Sequence, residues 1–258
     1  MKRIVVKVGS NVLTRNDGKL DVTRMSAIVD QIVWLKRNGY EIILVSSGAV
    51  SAGRDELHPD HQLDNVEQRQ LFSAMGQVKL IGLYYDLFRE YGIHIGQILT
   101  TKDHFEDKEA YENQKRCIST MLDNDVLPIV NENDTVCLTE LMFTDNDELS
   151  GLIAKMMEAK TLVLLTNVDG IYNGDPSNPN TRIIPSVYYD RDISEYASDE
   201  KSSNGRGGMA SKAKTAHEVA NAGIRVLIAN GNTSDILVKL KKNPMDTLHT
   251  EFVAKPIK

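Results

Sequence analysis

"RIVVKVGSN", residues 3–11, decides how the rest of the chain is read. Its first six residues form a continuous branched apolar run interrupted only by the basic ends of Arg3 and Lys7, which is the pattern of a strand buried on both faces. A glycine turn follows at once. The same design recurs in "EIILVSS" (41–47), "IHIGQILT" (93–100), "VLPIVN" (126–131), "TLVLLT" (161–166) and "RVLIAN" (225–230). Helical stretches lie between them. "DVTRMSAIVDQIVWLKRNG" (21–39) has Asp21 and Thr23 as cap residues, apolar side chains at helical spacing and Gly39 as a stop. Residues 65–91 read as a second helix closed by Gly92, and "ELSGLIAKMMEA" and "MASKAKTAHEVANAG" as two more. Alternation of this kind gives an α/β fold with a mainly parallel sheet covered on both faces. Ligands of such sheets bind beyond the carboxyl ends of the strands. The unusual polar clusters sit at those ends: "GSN" after the first strand, "SSGAVSAG" after the second, "NENDT" after 126–131 and "TNVDG" at the end of 161–166.

Composition narrows the function classes. The chain has 258 residues, 41% hydrophobic and 26% charged, enough to bury a core without staples. A net charge of −6 gives no whole-chain support for a nucleic-acid partner. Cys117 and Cys137 form no CxxC and no metal-ligand spacing, so reduced thiols are expected. "MKRIVVKVGS" is too short in apolar residues for a signal peptide, and the expected location is the cytoplasm. No internal repeat is visible. The most linker-like stretch, "YASDEKSSNGRGG" (196–208), runs straight into a helix. One domain spanning 1–258 is expected, with two functional lobes.

Four stretches carry chemistry. Lys7 precedes a turn whose backbone N–H groups, at Gly9 and Ser10, can form a nest for anionic oxygen. "GRGGMASK" (205–212) places three glycines at a helix N-terminus, which favours a phosphate, with Lys212 one turn into the helix. A snorkelled lysine and an exposed helical lysine are the plainer readings. "VSSGAVSAG" (45–53) is no nucleophile elbow, because Val45 stands where G-x-S-x-G needs glycine. Backbone donors at Ser47 and Gly48 suit a substrate carboxylate, and Ser47 also suits an N-cap. "FTDND" (143–147) and "NENDT" (131–135) gather acids and amides. Asp145 or Asn146 could be a helix cap. The pair of clusters also suits the ammonium group of a small zwitterion. The EF-hand pattern is missing, as are GxxxxGK[ST] and GxGxxG.

In this order, "KVGSNVLT", "VSSGAVSAG", "VNENDT", "FTDNDELS", "LLTNVDGIY" and "GRGGMASK" resemble the amino acid kinase family. The paired acid–amide clusters are most similar to the members that phosphorylate the γ-carboxylate of glutamate on the way to proline. The resemblance runs from Lys2 to about Leu240 and implies an αβα sandwich, acceptor lobe first. It implies that Lys7 and Lys212 grip the transferring phosphoryl group while Asp147 orients them. Ser47, Gly48, Asn131, Asp134, Asp145 and Asn146 become acceptor contacts. Lys7, Gly9, Ser10, Thr166, Asn167 and the run Arg206, Gly207, Gly208, Met209, Ala210, Ser211, Lys212 become nucleotide contacts. Two positions depart from the family pattern: Asn167 replaces an aspartate and Arg206 a threonine, which opens the choice between ATP and GTP. The sequence also ends without the RNA-modification-type domain many relatives carry, so it reads as a short form.

The resemblance further implies ATP with Mg²⁺, the metal held by phosphates and water rather than by protein ligands. It implies proline as a feedback inhibitor, a homo-oligomer (dimer or tetramer) and coupling to glutamate-5-semialdehyde dehydrogenase. The six histidines are scattered, and a carboxylate nucleophile needs no general base. The competing expectations are a kinase of the same fold acting on aspartate, acetylglutamate, UMP or a phosphorylated isoprenoid, and a non-catalytic amino-acid sensor.

Overall fold

A computed structural model describes residues 2–136, 143, 145–174, 178, 180–191, 193 and 208–256. The strands are β1 (Lys2–Val8), β2 (Tyr40–Ser46), β3 (Ile95–Thr100), β4 (Leu127–Glu132), β5 (Thr161–Thr166), β6 (Ser186–Tyr188), β7 (Arg225–Asn230) and β8 (Thr250–Val253). The helices are α1 (Ser10–Leu13), α2 (Val22–Arg37), α3 (Ala49–Glu56), α4 (Asn65–Arg89), α5 (Lys108–Asp123), α6 (Asn146–Met156), α7 (Met209–Asn221) and α8 (Ile236–Lys242). The strands form one sheet in the order β3-β4-β2-β1-β5-β7-β8-β6. Every pairing is parallel except β7 with β8.

The continuous apolar strands are explained by two cores, one on each face. Ile4, Val6 and Val8 of β1 enter one core with α2, α4 and α8, where Ile28, Ile32, Tyr84, Phe88 and Leu237 lie. Val5 enters the other, with Leu149 and Ile153 of α6 and Ala216 and Val219 of α7. The period of two puts Lys7 on the same side as Val5, the side of α6 and α7. That parity decides the chemistry below. The αβα sandwich and the mainly parallel sheet expected from the sequence are both present.

The helix signals act as read. Asp21 caps α2 by accepting from the Arg24 amide at 2.9 Å, and Gly39, at φ +80°, turns the chain away. Asp64 and Glu67 form a capping box at the start of α4, a reciprocal pairing the sequence reading did not include. Helices α3 and α4 cross with backbone in contact: a Cβ on Gly53 would lie 1.8 Å from the Phe72 carbonyl oxygen, and one on Gly76 1.7 Å from that of Ala49. Two short strands, β8 and the edge strand β6, were not foreseen. Their three and four residues carry no period long enough to read. Among the described residues no helix is long and apolar enough to cross a membrane.

Candidate active site

The chain leaves β1 toward β2 on one side of the sheet and later places β5 on the other, so the order reverses beside β1. At that reversal, beyond the carboxyl ends of the strands, lies a cavity of about 450 Å³. Lys7, Gly9, Ser10, Ser47, Gly48, Asn131, Asp134, Asp145, Asn146, Asp147, Thr166, Asn167 and Lys212 all line it. The two lysines, 205 positions apart in sequence, meet on one carboxylate. Asp147 Oδ1 lies 2.6 Å from Lys7 Nζ, and its Oδ2 lies 3.0 Å from Lys212 Nζ. The Asp147 side chain is 1% exposed, those of Lys7 and Lys212 6% and 11%, so this three-charge cluster is shielded from bulk water.

Local sequence explains each placement. Lys7 stands one residue before the end of β1, and Asp147 is the second residue of α6. Lys212 is the fourth residue of α7, one turn past Gly208, and that N-cap glycine makes no side-chain hydrogen bond to the first turn. A Cβ at Gly9 would sit 3.5 Å from Lys7 Nζ and 3.3 Å from the Leu165 carbonyl oxygen, so the glycine leaves the ammonium its room. Gly48 has φ +107°, the left-handed region glycine tolerates, and begins α3.

Asp145 proves to be the cap of α6. Its Oδ1 accepts from the Asp147 and Glu148 amides at 2.8 and 3.0 Å, and its Oδ2 accepts from Ser211 Oγ at 2.6 Å. One side chain thus joins the start of α6 to the start of α7. Burial raises the Asp145 pKa above the ordinary aspartate value, and the Asp147 charge raises it further. Burial pushes Asp147 the same way, but the Lys7 and Lys212 charges outweigh it and hold that carboxyl below the ordinary value.

The residues expected to hold the acceptor form a connected polar chain. Asn146 Nδ2 donates to Ser47 Oγ and to Asn131 Oδ1, both at 2.9 Å. Its Oδ1 is buried with no hydrogen-bond partner among the described residues, an acceptor left for a donor from the cavity. Asp134 accepts from Arg69 Nε at 2.6 Å and from Ser73 Oγ at 3.3 Å. Arg69 and Glu132 line the cavity and escaped the sequence reading, as did Asn11, Arg54 and Gln68. Arg69 lies within a long helix with no motif around it. Glu132 sits inside "NEND", the one signal that was there to be used.

Of the residues expected to contact the nucleotide, Thr166 ends β5, buried, and Asn167 is exposed beside it, with Thr166 Oγ1 donating to Asn167 Oδ1 at 3.3 Å. Gly208, Met209, Ala210 and Ser211 begin α7 and do not line the cavity, whereas Lys212 does. Arg206 and Gly207 lie outside the described residues, as does most of the 196–208 stretch.

The model of the amino acid kinase family matches residues 2–230. The chain belongs to the amino acid kinase family. Among its relatives, the glutamate 5-kinase of Bacteroides thetaiotaomicron is 60% identical over 251 residues, covering 97% of this chain and 70% of that protein. The glutamate 5-kinase of Chlorobaculum tepidum is 46% identical, covering 92% and 65% respectively. That of Proteus mirabilis is 40% identical, covering 95% and 68%. This chain therefore spans about two thirds of the length of these amino acid kinases. Solved structures of low identity share the fold. Carbamate kinase from Giardia lamblia bound to AMP-PNP has a TM-score of 0.70 at 17% identity, covering 98% of this chain and 99% of that one. UMP kinase from Ureaplasma parvum has a TM-score of 0.66 at 16% identity, covering 98% of each chain.

Proposed function

We propose that the chain transfers the γ-phosphoryl group of ATP to the γ-carboxylate of L-glutamate, giving L-glutamyl 5-phosphate, the first step of proline biosynthesis. The observation that carries this reading is the bridging of Lys7 and Lys212 by Asp147 in a cavity that Asp134 and Asn146 also line. The names of the relatives support the choice of acceptor.

Phosphoryl transfer demands positioning and charge stabilisation more than covalent chemistry. A γ-carboxylate oxygen attacks the γ-phosphorus in line. The bond from phosphorus to the β,γ-bridging oxygen breaks, and ADP leaves with that electron pair. The attacking carboxylate is already ionised near neutral pH, so no proton has to move. Lys7 and Lys212 neutralise the equatorial oxygens, and Asp147 keeps both ammonium groups aimed before substrate arrives, which is the preorganisation that makes such groups effective. The acceptor's ammonium is received by Asp134 and the open Asn146 Oδ1, its α-carboxylate by donors at Ser47 and Gly48. Thr166, Asn167 and Lys212 face the nucleotide, so residues of about 1–160 serve the acceptor and those of about 161–258 the donor.

The acids here fit a metal that arrives with the nucleotide. Asp147 is engaged by two lysines, Asp145 by Ser211 and helix amides, Asp134 by Arg69. Mg²⁺ arriving with the nucleotide would supply charge neutralisation on the phosphates. The wider expectations belong to the same proposal. The enzyme works in the cytoplasm as a homo-oligomer, is inhibited by proline, and passes its labile acyl phosphate to glutamate-5-semialdehyde dehydrogenase.

An acceptor panel tests the reading. L-Glutamate, L-aspartate, N-acetyl-L-glutamate and UMP are offered with ATP or GTP, and acyl phosphates are trapped with hydroxylamine. Hydroxamate formation with glutamate, and none with the N-acetyl compound, is expected. Equal turnover of the acetylated acceptor would remove the role assigned to Asp134, and binding without ADP release would make the chain a sensor.

A further inference from the structure

Glu132 ends β4 with 1% of its surface exposed, and the phosphoryl-transfer scheme makes no use of it. A buried carboxylate is retained only where its partners repay desolvation. Its Oε2 accepts from Arg69 Nη2 at 2.8 Å, and its Oε1 accepts from the Phe143 amide at 3.1 Å. Arg69 reaches on through Nε to Asp134 at 2.6 Å. Phe143 is buried edge-on against Phe105, ring centroids 5.8 Å apart, two residues ahead of the cap residue Asp145. Hydrogen bonds therefore link Asp134 through Arg69 and Glu132 to the Phe143 amide, two positions before the residue that caps α6, the helix whose Asp147 holds Lys7.

Such a path holds fixed the separation between the carboxylate that receives the acceptor's ammonium and the lysines that receive the phosphoryl group. A guanidinium fork bonded to two carboxylates sets direction as well as distance. We propose that Arg69 and Glu132 are positioning residues that set this separation and thereby select the chain length of the amino dicarboxylate. The proposal rests on the acceptor chemistry given above. Neither Asp134 nor the lysines can read chain length alone, because aspartate, glutamate and 2-aminoadipate present the same ammonium and the same distal carboxylate. Only the span between the two ends tells them apart. One methylene of mismatch is worth ~10–200-fold in kcat/KM, so a small displacement of Asp134 has a measurable signature.

Two variants of the whole chain separate this role from a merely structural one. Glu132→Gln keeps an oxygen for the Phe143 amide and removes the charge facing Arg69. Arg69→Lys keeps the charge and removes the fork. Each is assayed with ATP and L-aspartate, L-glutamate or L-2-aminoadipate, with hydroxylamine trapping. The glutamate KM is expected to rise about tenfold, by more than kcat falls. The ratio of kcat/KM for glutamate over the shorter or longer acceptor is expected to fall about tenfold. A changed ratio in either variant supports the proposal. An unchanged ratio in the folded variants, whether activity is lost in proportion on all three acceptors or retained, overturns it, because a structural defect lowers the active fraction alike for all. Insolubility of both variants would assign the pair to folding and overturn it too. Absence of glutamate turnover in the unaltered chain would instead remove the acceptor reading itself.

Discussion

Asp147 is the residue on which the site turns. It neutralises one of two buried ammonium charges, and removing it leaves both lysines crowded and uncompensated. Losing one partner of a buried ion pair costs ~3–5 kcal/mol, so Asp147→Asn is expected to lower the urea midpoint as well as turnover. The pH dependence has a definite sign. The folded Asp147 carboxyl lies below its ordinary value, because the two lysines outweigh burial. Its contribution is therefore present above the unfolded carboxylate pKa and is lost as pH falls through the lowered folded value. The stability gap between the native protein and Asp147→Asn should be widest near neutral pH and narrow under acid. Urea unfolding from pH 7 downward checks this, and a gap that widened in acid would contradict it. Asp145 works in the opposite sense, since burial raises its carboxyl. Its proton is favoured in the folded protein as pH falls, so the two neighbouring acids respond differently to the same titration.

At the scale of elements, the proposed acceptor side depends on how closely α3 and α4 approach, because Gly48 is the N-cap of α3 and α4 carries Arg69. Gly76 faces the Ala49 carbonyl oxygen at a distance that excludes a methyl group, whereas nothing lies within 4 Å of a Cβ built on Gly82 six residues later. Gly76→Ala should cost ~1–3 kcal/mol or more through forced separation of the helices, and raise the glutamate KM. Gly82→Ala should gain ~0.5–1 kcal/mol, as expected for an unobstructed helix interior. Thermal or chemical unfolding of the two variants gives the comparison, and equal effects would show that the crossing is not tight. The elements also show what sequence can carry. Five of the six longer strands were legible because they are apolar runs buried on both faces, the edge strand β3 from its branched residues alone, and the main helices because Asp21, Gly39 and Gly92 punctuate them. Strands β6 and β8 were not, being too short for any period. The α3–α4 crossing was invisible as well, since a glycine in a helix does not announce what it touches.

Over the whole molecule, the sheet does the assembling. Strand parity sends Lys7 to the α6–α7 face, Asp145 ties those two helices together through Ser211, and Lys212 arrives from α7 to share Asp147. The residue types of the site were readable at the strand ends, because a parallel sheet leaves polar clusters nowhere else to serve. Their partners were not. The Asp134–Arg69–Glu132 linkage joins positions 63 and 65 residues apart, and only the fold reveals it. The direct trial of two cations converging on one phosphoryl group is the glutamate-dependent release of ADP by Lys212→Ala, with Lys212→Arg beside it. Turnover should fall ~10²–10³-fold in the alanine variant, the loss typical of one preorganised donor, and arginine should restore it only in part, because a planar fork cannot replace a compact ammonium. Near-normal release by a folded Lys212→Ala protein would show that the phosphoryl group is held elsewhere.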